Sequence, residues 1–336
     1  MSARNSKPAS VVKVNWTARI TTFLAIFMLS ACSNVNTSSD SKRASPVYIT
    51  SEQISTTLLP ELDAVAGGQA TDLKGNSIQV KDPSRIVSVA SGAAEIVAAL
   101  GLTKNLVGRD IASQSKALES VVAVTDAHAL SVEKVLAQRP TLLIIDEQTS
   151  PSQSLDAIAD AGVQIIEIKP AWKISEIAPR IQQIAQALGV PQQAQQLNDQ
   201  IQIEIQPRTK LKVAFLYLRG TSSIYLLGGK GSGADAMIQA AGGNDVGALA
   251  GLGPFTPLTP EALSKSAPDV ILVMTKGLAS VGGLTGLGQL PGVAQTPAGK
   301  NKQVIAVDDG MLLAFGAETK SVIEEMKVAF SQMVAS

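Results

Sequence analysis

The 336-residue chain has one cysteine, one histidine, only 3% aromatic residues and no excess of either charge, with 28 basic residues against 28 acidic. One cysteine forms no internal disulfide and no cysteine-rich zinc site, and one histidine excludes every metal site that needs two. Balanced charge leaves no basic stripe, so nucleic acid is not an expected partner. A phosphate-binding loop ending in Gly-Lys-Ser/Thr is absent, since Gly229-Lys230-Gly231-Ser232 has the wrong order. Neither a Gly-x-Ser-x-Gly motif nor a histidine pair points to an exported hydrolase or metalloenzyme, and the chain reads as a non-enzyme. Long apolar runs are also lacking. The stretch Ile20 to Leu29 falls well short of the roughly 20 residues that span a membrane.

What is present begins with an address. Arg4, Lys7, Lys13 and Arg19 precede that apolar stretch, no acidic residue occurs before Asp40, and Leu29-Ser30-Ala31-Cys32 follows. This order predicts a signal peptide over 1–31 and an exported protein. Leu-Ser-Ala-Cys looks like a bacterial lipobox, in which Cys32 is acylated and becomes the new N-terminus. The polar run Ser33 to Ser45 suits a tether, and residues 32–75 are read as anchor and flexible tether. Without residues 1–31 the chain keeps 24 basic residues against 28 acidic. Its attachment to a membrane is therefore expected through lipid, on the outer face of the cytoplasmic membrane or the periplasmic side of a diderm envelope.

From Asn76 short apolar strands alternate with helices, the pattern of a parallel sheet covered on both faces. Strands are read at Arg85 to Ala90, Leu106 to Gly108, Thr141 to Ile145 and Val163 to Ile168, giving an N-terminal lobe over 76–172. Ser175 to Leu188 and Gln192 to Ile205 are amphipathic and Gln-rich, and residues 173–206 are read as a bridging helix. The alternation restarts at Leu211 to Leu218, Ile224 to Leu226, Val270 to Met274 and Val304 to Val307. With the closing helix Thr319 to Val334 these make a C-terminal lobe over 207–336. An internal repeat supports two lobes. Glu133 and Glu261 each stand seven residues before a proline that opens a strand, Pro140 and Pro268. Ser131 and Thr259 sit two residues ahead of them, so both carboxylates fall in a helix first turn, where the helix dipole favours them.

These features carry a resemblance. Arg85-Ile86-Val87-Ser88 with Glu95-Ile96-Val97-Ala98-Ala99-Leu100-Gly101, and the paired Glu-to-Pro-to-strand units, resemble the substrate-binding lipoproteins of bacterial ABC importers. The class has two α/β lobes bridged by a single long helix, each a mainly parallel sheet flanked by helices, with a ligand cleft between them. Tyr217-Leu218-Arg219-Gly220, Gly231-Ser232-Gly233-Ala234-Asp235, Val281-Gly282-Gly283-Leu284, Leu290 to Gly299 and Leu312 to Gly316 are similar to its haem-binding subgroup. Gly316-Ala317-Glu318-Thr319 departs from that pattern, which has a proline after the glycine. The resemblance implies haem b (hemin) as cargo, delivery to a permease dimer with its ATPase, and no catalytic cofactor. A ferric siderophore or a corrinoid such as vitamin B12 is the alternative cargo within the same class.

Haem iron takes His, Met, Cys or Tyr as axial ligands. His128 lies in a loop before the helix of Glu133, and the resemblance implies that it is one ligand. Tyr217 ends the first strand of the C-terminal lobe, with Arg219 two residues on and on the same face. A guanidinium beside a phenol favours the phenolate, the form that binds ferric iron. Tyr225 is the alternative tyrosine, and Tyr48 precedes the lobes. Arg109, Lys276 and Arg219 are candidates for the haem propionates. Phe255, Met274, Met311 and Phe315 are candidates to pack on the porphyrin, and the glycines from 228 to 233 either admit a flat ligand or form a turn. Glu133 and Glu261 match, by position, the pair that docks onto the permease in this class.

Overall fold

The computed structural model describes residues 46–334 except 64, 73–74, 127–128 and 150. The expected signal segment, Cys32, the tether before residue 46 and His128 lie outside the described residues.

The N-terminal lobe holds a four-stranded, all-parallel sheet in the order Leu106–Arg109, Ile86–Ser88, Leu142–Ile145, Gln164–Glu167. Leu142–Ile145 is an uninterrupted apolar run because both of its faces are buried. Ile86, Leu142 and Ile144 face the helix that begins at Ala93, and Val87, Leu143 and Ile145 face the helices Val132–Ala137 and Ser152–Asp160. The C-terminal lobe is built on a seven-stranded sheet. Its parallel part runs Val47–Ile49, Val304–Val307, Val270–Met274, Lys212–Arg219, with Asn244–Asp245 also pairing in parallel with Lys212–Arg219, and Ile224–Gly228 and Phe255–Pro257 continue it antiparallel. Each lobe is therefore a mainly parallel sheet between helices, as the alternation of strands and helices requires.

Two boundaries differ from the sequence reading. Val47–Ile49 is not tether: it pairs in parallel with Val304–Val307 at the edge of the C-terminal sheet, burying Ile49 to 1% exposure. The chain then crosses to the other lobe, where the Leu59 and Leu62 N–H groups donate to the carbonyls of Ala99 and Gly101. Gln69–Thr71 and Ser77–Gln79 form a hairpin that packs on the connecting helices, so the N-terminal lobe begins before residue 76. Val47–Ile49 and Gln69–Thr71 are too short to show alternation in the sequence, whereas the alternation of Ser77 to Val80 does read as a hairpin strand.

The bridge is likewise two helices rather than one, Ile177–Ala187 and Pro191–Gln200, packed on each other. Gly189 at φ 76° and Pro191 at the next N-terminus break the helix between them. The last helix begins at Thr319 without a proline, its turn closed by the Thr319 hydroxyl donating to the Gly316 carbonyl.

One apolar core runs through both lobes, from Ala93, Ile96 and Leu142 to Phe215, Leu272 and Phe315. The segment from 46 to 62 is a second covalent crossing over that core. A chain starting at residue 63 loses the burial of Ile49, Ile54 and Leu59, and its unfolding free energy should fall by about 3 kcal/mol or more. Urea unfolding against a chain starting at residue 46 checks this, and equal midpoints would contradict it.

Candidate functional site

In both sheets the C-terminal ends of the parallel strands meet at one cavity of about 470 Å³. Such strand ends, where chain order reverses across the sheet, are where open α/β sheets leave a crevice. Val89 and Ser91 follow Ile86–Ser88, Asp110 follows Leu106–Arg109, Asp146 follows Leu142–Ile145, and Pro170 to Trp172 follow Gln164–Glu167; all line the cavity. From the other lobe come Tyr217 and Arg219, Met274, and Asp309, each at or just past the end of a parallel strand.

Tyr217 and Arg219 enter together because they are two residues apart on an extended strand. The Arg219 guanidinium carbon stands 4.5 Å from the centre of the Tyr217 ring. A cation over a phenol face contributes roughly 0.5–2 kcal/mol. Its Nη1 donates to the Leu218 carbonyl at 3.0 Å and lies 3.8 Å from an Asp309 carboxylate oxygen. Phe255 meets the Tyr217 ring edge to face, with centroids 5.5 Å apart. Among the described residues the Tyr217 hydroxyl has no hydrogen-bond partner, and Tyr217 lines the cavity.

Other candidates lie elsewhere. Tyr225 pairs with Leu218, and Leu226 with Tyr217, so Tyr225 points to the opposite face of the sheet and packs on that face's core. Arg109 spends its guanidinium on the carbonyls of Leu118 and Asp110, away from the cavity lining. Lys276 is exposed and its backbone N–H donates to Asp309. Phe255 and Met274 line the cavity, whereas Met311 and Phe315 belong to the core. None of the glycines from 228 to 233 lines it. Glu133 and Glu261 are exposed in helix first turns, where Ser131 and Thr259 accept from the N–H groups of Lys134 and Ala262. Neither glutamate forms an ion pair among the described residues.

Sequence reasoning passed over Trp172, Arg180 and three buried carboxyls. Arg180, from the helix Ile177–Ala187, is 4% exposed. Its terminal nitrogens donate to the Ser91 carbonyl of one lobe and the Ala314 carbonyl of the other. Burial lowers its pKa to about 10, against the pull of Asp146 and Glu95. Glu95, Asp110 and Glu318 are buried side by side, with Asp110 in the cavity lining. The Ser113 oxygen lies 3.1 Å from Glu95 and 2.5 Å from Asp110. That hydroxyl has one proton to donate, so at least one of the two carboxyls is itself protonated. Burial, reinforced by Asp110 and Glu318, pushes Glu95 up to about 8, and burial also raises Asp110. The Glu318 carboxylate accepts from Ser115 of the other lobe and from Thr56 of the crossing segment. A charge or amphipathic pattern does not reveal such a cluster, because its members come from distant parts of the chain.

Comparison with known proteins places this geometry. The periplasmic binding protein family model matches residues 86–310. The chain belongs to that family. An ABC transporter substrate-binding lipoprotein of Bacillus subtilis, YvrC, is 28% identical over 316 residues, covering 90% of this chain and 93% of the relative. The vitamin B12-binding protein of Yersinia pestis is 26% identical over 199 residues, 56% of this chain and 69% of that one. Among solved structures, the heme-binding protein HmuT superposes with a TM-score of 0.75 at 34% identity, covering 85% of this chain and 98% of that chain. The match to the family and to HmuT establishes the two-lobed fold and a binding-protein class.

Glu95 yields a pH prediction. Its pKa rises from 4.5 to about 8 on folding, so between those values the folded state holds a proton that the unfolded state releases. Its contribution to stability is complete below pH 4.5 and is lost as pH rises through 8. The melting temperature should decline from pH 5 to 8.5, and Glu95→Gln, which mimics the protonated acid, should flatten that decline. An unchanged slope in the variant would contradict the assignment.

Proposed function

We propose that this chain captures haem between its lobes and delivers it to an ABC importer. The observation that carries the reading is the uncommitted Tyr217 phenol in the cleft, with Arg219 on its ring. The resemblance to HmuT supports it. Tyr217 coordinates ferric iron as phenolate, Arg219 stabilises that anion, and Phe255, Leu226 and Met274 supply apolar surface to the macrocycle. His128 is the second ligand in this reading, and Arg219 the cation for a propionate. Arg109, Lys276 and Tyr225 have no part in it. Cys32 carries the lipid that keeps the protein on the outer side of the cytoplasmic membrane. Glu133 and Glu261 meet the permease dimer, which works with its ATPase. A corrinoid is the competing cargo, because a vitamin B12-binding protein is among the relatives.

Residues 33 to 336 titrated with hemin should give a saturable, red-shifted Soret band, weakened and shifted by Tyr217→Phe and again by His128→Ala. Tight binding of cobalamin with no hemin band would overturn the assignment. Glu133→Arg with Glu261→Arg should abolish haem uptake by cells while leaving hemin affinity unchanged, since like charges at an interface cost several kcal/mol. Were the glutamates only helix caps, the double variant would lose melting temperature, about 1 kcal/mol of dipole interaction per site, and keep its uptake.

A further inference from the structure

Resting on the haem reading, we propose that Trp172 is the specificity-determining wall of the cavity, a fixed indole face that selects a flat macrocycle whatever metal sits at its centre. Trp172 follows the N-terminal strand Gln164–Glu167 and lines the cavity together with Pro170 and Ala171, whereas Tyr217 and Phe255 come from the other lobe. A ligand between the lobes is thus met by the indole from one side of the boundary and the phenol from the other.

The indole is held in place from several directions. The Trp172 backbone N–H donates to a Glu176 carboxylate oxygen at 2.8 Å, which fixes the main chain beneath the indole. Its ring is backed by Gly233 of the opposite lobe, where a Cβ would come 3.3 Å from Trp172 Cε3, 3.3 Å from Leu313 Cδ2 and 3.0 Å from Phe315 Cε2. Gly233 also has φ 82°, which side chains rarely adopt. The glycine-rich loop therefore makes room for the protein's own tryptophan rather than for the ligand. A wall seated across the lobe boundary in this way cannot swing aside without disturbing the lobe contact.

A porphyrin is flat and presents a continuous π face to such a wall, gaining burial and offset stacking along its whole width. A corrinoid is puckered and carries amide arms and an axial base, so it gains less from the same wall. The gain is independent of iron, which separates Trp172 from Tyr217. An indole lost from an aromatic contact of this size corresponds to an affinity change on the order of ten-fold.

The test titrates the wild type, Trp172→Phe and Trp172→Ala with hemin and with metal-free protoporphyrin IX, and records melting temperatures in parallel. Trp172→Ala should weaken both ligands by the same factor, on the order of ten-fold, with Trp172→Phe between it and the wild type. The Soret maximum of the hemin complexes should stay where it is, because the iron ligands are untouched. Tyr217→Phe should weaken hemin alone. Unchanged protoporphyrin affinity in Trp172→Ala, or a displaced Soret maximum, would overturn the proposal. If the alanine variant does not fold, the phenylalanine variant decides: an equal loss for both porphyrins supports the wall, and no loss for either overturns it. Trp172-dependent uptake of protoporphyrin without any hemin band shift would overturn the haem reading and leave the wall standing.

Discussion

The buried guanidinium of Arg180 sets the spacing between the two sheets, because its terminal nitrogens are spent on one carbonyl from each lobe. A charge at 4% exposure is tolerable only where hydrogen bonds and opposite charge replace water, and here Asp146 supplies the charge. Around the clamp the backbones close in. Gly92, at φ 70°, leaves no room for a Cβ against Ala314, and Gly316 leaves almost none against Gly92. Phe315 holds φ 47° while fully buried, a conformation that persists only where packing on every side enforces it. The apolar core and the crossing segment from 46 to 62 reinforce the same junction. The cavity therefore has its width built in before any ligand arrives.

With the lobes fixed, strand direction does the rest. Parallel strands deliver their ends to one side of each sheet, and both sheets turn that side to the same crevice. Five charged groups are gathered there, Asp110, Asp146, Arg180, Arg219 and Asp309. Asp146 is occupied with the N–H groups of Ser91 and Gln148 and with Thr149, and Asp110 with Ala112 and Ser113. Arg180 holds carbonyls. Tyr217 adds a phenol whose oxygen has no hydrogen-bond partner among the described residues.

The two-lobed α/β architecture was legible in the sequence because its longer strands are apolar runs and its helices are amphipathic, both local properties. Tyr217 and Arg219 were legible for the same reason: a two-residue spacing fixes a common face wherever the strand lies. Tyr225 was not, because its face depends on the register with which Ile224–Gly228 folds back on Lys212–Arg219, and that register pairs it with Leu218. Arg109 and Lys276 stand after strands as ligand-binding cations do, yet nearby backbone groups claim one and solvent the other. Strand Val47–Ile49 escaped notice because three residues show no period and their partner lies some 258 positions away. Trp172 was a lone aromatic beyond an edge strand, and only the lobe packing on Gly233 gives it a role.

The central claim is that the Tyr217 oxygen meets the iron of a haem held between the lobes. Resonance Raman spectroscopy of the hemin complex, with tyrosine isotopically labelled, reads that bond directly. The account predicts phenolate modes that shift with the label and vanish in Tyr217→Phe while persisting in Tyr225→Phe. A hemin complex with no such modes, or with modes that survive in Tyr217→Phe, would contradict it.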